Sequence, residues 1–251
     1  MNKIIYKTFS KLQLNSSFLI RGIFLFFILI FLIPNLWSQN KSEINQKDEQ
    51  GRKQGAWKKK NVYGRIIYEG GFLDDKPFGE FKYYYNDGGL KAVSKFQKNG
   101  SISYTVFYHP NGKIMADGKF IDEKKDSIWN FHRESDELLV SKDNYFDGKI
   151  HGESISYYPN GIIAEIINYN EGIKQGTWVK YFQDGSIQLE GNYFKDDIEG
   201  KYRIYYPDEI LKTSGEYKKS LKHGEWKYYS ILKELEKIEI YEYGKIVKRK
   251  E

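Results

Sequence analysis

The residues whose types could do chemistry are few and widely spread. Four histidines, His109, His132, His151 and His223, invite a metal or triad reading. His151 and His223 are each followed by Gly-Glu and lie 72 residues apart, which is three periods of the repeat that runs through the chain. They therefore occupy equivalent places on separate units, about 28 Å apart in a flat array of strands. Zinc ligands sit ~2 Å from the metal, so this pair cannot share one, and His109 and His132 show no ligand spacing. The acid pairs Asp74/Asp75, Asp122/Glu123 and Asp196/Asp197 stand side by side at turn positions. A glycosidase needs two carboxylates across one cleft, and calcium takes about 6–8 oxygens, so solvated turn residues are the expectation. Cysteine is absent, which removes thiolate sites and a Cys nucleophile. No GxSxG, HExxH, P-loop or dinucleotide fingerprint occurs. The expectation is no catalytic, cofactor-binding or metal site, and hence no enzyme.

The tyrosine pairs Tyr84/Tyr85, Tyr157/Tyr158, Tyr205/Tyr206 and Tyr228/Tyr229 are better candidates. Neighbours on a strand point to opposite faces, so one ring of each pair faces a packed side and one an open side. Tyr84, Tyr157, Tyr181, Tyr205 and Tyr228 form the candidate binding face, a ladder of rigid amphipathic rings of the kind enriched at interfaces.

The elements that must carry these rings are strands. Twenty-two Tyr, 16 Phe and 5 Trp make the 251-residue chain 17% aromatic, beside 23 Gly and 5 Pro. That composition excludes a disordered chain and disfavours helices, because Gly and Tyr suit turns and strands. The net charge is +6, but Lys3, Lys7, Lys11 and Arg21 supply most of it, and the remainder is near neutral. A nucleic-acid binder needs a clustered basic face, so nucleic acid is excluded as a partner. The basic runs Lys58-Lys59-Lys60 and Lys248-Arg249-Lys250 read as charged ends that block edge pairing.

The segments GAWKKK, GEFKYY, GTWVKYF, GKYRIYY and GEWKYY recur at a fixed period. Aligned on their first aromatic they give Trp57, Phe81, Tyr104, Trp129, Ser154, Trp178, Tyr202 and Trp226, at steps of 23–25 residues. Ser154 alone breaks the aromatic register, and the third unit carries an apparent inserted residue before Gly112. An aliphatic stands nine residues on, such as Ile66, Leu90, Leu138, Ile163, Ile187 and Leu211, and a Gly thirteen on, such as Gly70, Gly191 and Gly215. Gly55, Gly79, Gly152, Gly176, Gly200 and Gly224 open the units. Ser127 replaces this opening Gly, and Asp136 and Glu209 replace the turn Gly.

Each unit reads as a β-hairpin. A strand such as GTWVKYF ends at an Asp-Gly or Asn-Gly turn, and the return strand SIQLEGNYF alternates with period 2. Ile187, Leu189, Gly191 and Tyr193 are expected on the face of Trp178, with Gly191 making room for a neighbouring indole. One hairpin cannot bury enough to be stable, whereas stacked units can. Removing Trp178 is expected to cost about 3–5 kcal/mol. The fold class is therefore all-β, an elongated array of about eight stacked hairpins over residues 53–251 whose last unit acts as a cap.

The unit G-x-W/Y-x-x-Y-Y-x-x-G-x-I/L-x-x-x-G-x-Y resembles the MORN repeat, and more closely its bacterial variant, over residues 53–243. GESISYYPNGIIAEIINYNEG and GTWVKYFQDGSIQLEGNYFKDDIEG are the clearest copies. The resemblance implies a sheet of successive hairpins with an interaction role and transfers no catalytic residue. Similar bacterial proteins are often named automatically as an antitoxin family, which would imply neutralisation of a partner toxin.

Gly22–Ile33 is twelve residues without a polar side chain, after Arg21 and before PNLWSQN. This is the layout of a signal peptide over residues 1–38, cut after Ser38. The alternative is an uncleaved anchor over residues 18–37, which has about the length of a bilayer span. Residues 39–52 read as a polar linker. Together these features lead to an exported, non-enzymatic repeat scaffold in the periplasm, at the cell surface or secreted. It binds an envelope protein or itself through an aromatic face, with membrane contact only if the N-terminal segment stays attached. A polysaccharide-binding wall protein and an antitoxin-like protein are the alternatives.

Overall fold

A computed structural model describes residues 43–250; the signal or anchor segment, Ser38 included, lies outside the described residues. From Gln46 to Lys250 the chain is an antiparallel meander in one open sheet, each strand pairing with its neighbours in sequence. Eight hairpins carry it. The first joins Lys53–Lys60 to Ile66–Leu73 and the second Lys76–Tyr84 to Leu90–Gln97. The third joins Ile102–Tyr108 to Ile114–Ile121 and the fourth Lys124–His132 to Leu139–Phe146. The fifth pairs Lys149–Tyr157 with Ile163–Asn170, and the sixth Ile173–Tyr181 with Ile187–Phe194. The seventh sets Gly200–Tyr205 against Leu211–Lys218, and the eighth Leu221–Tyr229 against Leu235–Glu242. No described helix is long and apolar enough to cross a membrane.

The two edges are managed by polar chain. Residues expected as the end of a linker are part of the sheet: Gln46 and Lys47 pair with Gln54 and Lys53. The Asn45 amide donates to the Lys58 carbonyl at 3.1 Å and accepts from its N–H at 2.8 Å. This satisfies backbone groups that an open edge leaves unpaired. At the far edge the exposed, basic strand Lys245–Lys250 closes the array.

One layer of strands has no opposing layer to bury its side chains, so the apolar core is a row of rings lying along one face. A ring can lie flat on the preceding strand only where that strand carries no side chain. Gly70 sits under Phe81, Gly118 under Trp129 and Gly215 under Trp226, where an added Cβ would come within 2.4, 2.3 and 2.3 Å of ring atoms. Phe81 is 2% exposed, and Trp129 and Trp226 1%.

This seating corrects the register of the third unit. Thr105, not Tyr104, pairs with both Ser94 and Gly118 and takes the ring position, and Tyr104 points to the other face, half exposed. Counted from Thr105, Gly112 and Ile114 fall seven and nine residues on, as in other units, and the apparent insertion disappears. The cause is the absence of an opening-Gly bulge here; the chain instead uses a longer turn at Lys98–Gly100. The extra residue of the array lies in the fourth unit, whose turn is closed by bonds between Arg133 and Leu138 and between Glu137 and Arg133. Leu139, rather than Leu138, therefore stands opposite His132.

A bulge recurs beside the loop of every hairpin and flips the aliphatic of the return strand. Ile187 pairs with Tyr181 while Leu189 pairs with Lys180. Ile187 thus faces away from Trp178, contrary to the alternation expected from the sequence. An extra residue in one strand reverses the facing of the residues beyond it.

Two of the three acid pairs occupy two-residue turns between hairpins; at the third the turn is Lys195–Asp196, and Asp197 opens the next strand. Asp74 and Asp75, and Asp122 and Glu123, have φ values of 52, 64, 47 and 63°, the left-handed pair that a tight hairpin turn of matching twist requires. Successive turns are tied together: Asp75 N–H donates to Lys53 O at 3.2 Å, Asp122 to Ser101 at 2.7 Å, Asp196 to Lys174 at 3.1 Å. Asp75 and Asp196 also accept from the N–H groups of Lys53 and Lys174, both at 2.9 Å.

Candidate binding faces

The first face carries Trp57, Phe81, Trp129, Trp178, Tyr202 and Trp226, which share one register across the strands. Rings of the return strands fill between them edge-on: Phe81–Phe96 at 5.0 Å, Phe120–Trp129 at 4.8 Å, Tyr202–Tyr217 at 4.9 Å and Tyr217–Trp226 at 5.1 Å. Such pairs contribute about 0.5–1.5 kcal/mol beyond their burial. Burial raises the Tyr202 hydroxyl to about 12. The row is broken twice. Thr105 shares a 2.8 Å hydroxyl bond with Ser94, and Ser154 donates to Asp143 at 2.6 Å. In both places the residue beneath is not Gly, so there is no flat seat for a ring.

Lysines cover this face. The Lys125 Nζ lies 4.4, 4.7 and 4.8 Å from the ring centres of Trp129, Phe131 and Tyr145. Lys222 lies 4.2, 5.4 and 4.9 Å from those of Trp226, Tyr228 and Tyr241. Burial holds both ammonium groups below the usual lysine value. Tyr228 belongs here, two residues from Trp226 and packed against it. It is therefore not on the open face with the other four candidate tyrosines; the pair member in their register is Tyr229, which pairs with Leu235. Glu239, buried at the end of the row, is surrounded by Tyr241 at 2.8 Å, Arg249 at 2.8 Å and Lys237 at 3.3 Å. Burial opposes its charge, but bonds from Tyr241, Tyr228, Lys237 and Arg249 hold the carboxyl down at about 2.

The second face carries Tyr84, Tyr157, Tyr181 and Tyr205, all half-buried. Each pairs with an aliphatic across its hairpin: Leu90, Ile163, Ile187 and Leu211. Tyr84 donates to Glu69 and Tyr205 to Glu190, each at 2.6 Å. The Glu69 bond pushes the Tyr84 hydroxyl up to about 12. Across the fifth hairpin and the first strand of the sixth no carboxylate stands in this line. Ile155, Ile166 and Val179 pair in one line across three strands, running from Lys142 to Glu190. With Tyr157, Ile163, Tyr181 and Ile187 they make an apolar band.

The second members of the tyrosine pairs have a role the alternation argument did not give them. Tyr85, Tyr158 and Tyr206 donate to the carbonyls of Tyr108, Tyr181 and Tyr229 at 2.6, 2.8 and 3.3 Å. Each staples one hairpin's loop end to the next. The signal was the constant 23-residue offset to another tyrosine. His109 stands in the same place, its Nε2 3.4 Å from the His132 carbonyl, and His132 Nε2 lies 3.2 Å from Asp117. His151 and His223 pack against Phe146 and Tyr243. Among the described residues no three His, Asp or Glu side chains gather as metal ligands would.

Stacked hairpins in register, with a fixed ring-on-glycine seat, define a β-repeat protein. The family described as the MORN repeat variant matches residues 150–171, 174–195 and 198–219, three consecutive copies. Residues 150–219 thus carry MORN repeats of the variant type. No curated protein matches the chain. Two solved structures, the crystal structures of TcdB2-TccC3-Cdc42 and of TcdB2-TccC3-TEV, match 74% and 77% of this chain at 10% identity, with TM-scores of 0.21 and 0.19. This chain spans 11% of the length of each.

Proposed function

We propose that the protein is an exported, non-enzymatic scaffold that binds a protein partner through the apolar band of its second face. The observation that carries this reading is the unbroken line Ile155–Ile166–Val179 beside Tyr157 and Tyr181. A shorter apolar pair, Val93–Val106, lies in the second and third hairpins, and towards both ends of the array that face carries charge, as in Lys58–Glu69 at 2.8 Å and Arg203–Glu190 at 3.4 Å. A local apolar interruption of a charged face, rimmed by Lys142 and Glu190, is the pattern of an interaction site. Export rests on the basic-then-apolar layout of residues 1–38.

The test compares the wild-type chain with Ile166→Glu in capture from envelope extracts, with purified peptidoglycan alongside. The expected result is a protein retained by the wild type and lost by the variant, at equal thermal stability. Equal capture by both, or binding to wall material that survives protease treatment, would overturn it. Mass spectrometry of the mature N-terminus, with cell fractionation, tests the compartment.

A further inference from the structure

On the first face a cleft of about 500 Å³ opens between the second and third hairpins. Its walls are Phe81, Tyr83, Phe96, Phe107 and Phe120, and Ser94, Ser103 and Thr105 line it as well. The repeat itself says what such a set of rings accommodates. In the fourth hairpin the rings Trp129, Phe131 and Tyr145 surround the Lys125 ammonium. In the eighth, Trp226, Tyr228 and Tyr241 surround that of Lys222. The residues at the same places in the second hairpin are Phe81, Tyr83 and Phe96; Phe81–Tyr83 at 6.1 Å matches Trp129–Phe131 at 6.3 Å, while Phe96 stands closer, 5.0 Å from Phe81 against 6.4 Å for Trp129–Tyr145.

The lysine of each filled cage is fixed by register. It pairs with the ring of the preceding return strand, Lys125 with Phe120 and Lys222 with Tyr217. The residues that pair in this way with Phe72 and Phe96 are Pro77 and Ser103. Neither carries charge nor reaches across the rings. In the fifth and seventh hairpins the place holds Ile150 and Ile198, and Ile198 packs against the core. Only at the second and third hairpins do a short residue here and Thr105 in the ring row coincide, which is why the cleft opens there.

We propose that this cleft binds the alkylammonium group of a lysine side chain presented by a partner, in the manner of the chain's own Lys125 and Lys222. Ring faces attract a cation through their quadrupole, and the cleft admits the four-carbon stem that precedes it. Glu123 is the carboxylate on the lining; Lys91 is the lining cation, and its Nζ is directed to Tyr85, 5.9 Å from that ring centre. The site lies on the opposite face from the apolar band and does not depend on it.

The test titrates the full chain with Nα-acetyl-lysine methylamide and monitors the ligand's ε-methylene protons by NMR. The expected result is a saturable upfield shift, with affinity about 3- to 30-fold above that of the norleucine analogue, which has the stem without the ammonium. Pro77→Lys, which supplies an internal cation, should abolish the shift. Phe96→Leu keeps the wall apolar and should weaken binding several-fold, so the test stands if Pro77→Lys fails to fold. Equal affinity for the norleucine analogue, no shift at saturating ligand, or binding of tetramethylammonium alone would each overturn the proposal.

Discussion

The last three hairpins and the middle of the array are built from the same unit, yet they use it differently. From the sixth to the eighth hairpin the ring row is continuous, Trp178 to Tyr202 at 6.1 Å and Tyr202 to Trp226 at 5.9 Å, and it forms a buried cluster. Between the second and sixth hairpins the row is interrupted at Thr105 and Ser154. What differs is the residue beneath. Gly191 and Gly215 seat Tyr202 and Trp226, whereas Ser94 and Asp143 lie under the two hydroxyl residues. Ring size and the absence of a Cβ below it go together because an indole over a side chain would have to lift off the sheet. Trp178, over Ile167, shows the intermediate outcome and is 9% exposed rather than 1%.

The largest effect should come from removing a seated indole. Trp226→Ala is expected to cost about 3–5 kcal/mol, and Thr105→Val only about 1 kcal/mol for its hydroxyl bond. Trp178→Ala should fall between them. Equal losses by thermal or urea unfolding would mean that the row is not what holds the array together. The seat itself is tested next. Gly215→Ala forces a Cβ to within 2.3 Å of Trp226 and should destabilise by about 1–3 kcal/mol. At Gly191 the nearest ring atoms, of Trp178 and Tyr202, are both at 3.2 Å, and Gly191→Ala should be milder.

The interrupted region can be converted into the continuous one. Thr105→Trp alone places an indole over Ser94 and should not stabilise; combined with Ser94→Gly it should. A double-mutant cycle is expected to give a favourable coupling of about 1–2 kcal/mol and a closed cleft. Additivity of the two changes would break the comparison between the regions.

Much of this was legible in the sequence, and the failures are failures of register. Period, hairpin, ring row and the use of Gly191 as a gap all come from residue type and spacing. Tyr104 was misplaced because an aromatic one position from Thr105 matched the pattern better than the residue that holds the place in space. Ile187 is misplaced because strict alternation takes no account of the bulge beside each loop, and Tyr228 because its pair begins two residues after the ring position where the other pairs begin three after it. The cleft was not readable at all: it requires knowing that Pro77 and Ser103 share a register although they stand at different distances from Phe81 and Thr105.

The two regions should also part in acid. Glu239 titrates at about 2 in the folded chain against an ordinary value of 4.5, so its charged bonds stabilise the folded state above pH 4.5 and that contribution is lost as pH falls toward 2. Nothing comparable underlies Thr105. Hydrogen exchange between those pH values should show the eighth hairpin loosening before the third, and Glu239→Gln should remove the difference.

The smallest effect tests the backbone. The opening position of the unit is left-handed, with φ of 67° at Gly79 and 99° at Gly176, and Ser127 holds it at 60°. A side chain there costs about 1–2 kcal/mol, partly offset by the bond from its hydroxyl to Asp126 at 2.7 Å and by the freedom glycine would gain when unfolded. Ser127→Gly should therefore stabilise the fourth hairpin by about 0.5–1 kcal/mol, seen as a small rise in Tm. The opposite change, Gly176→Ser in the continuous region, should cost at least as much, because φ there is 99° and Gln175, not an aspartate, stands immediately before it.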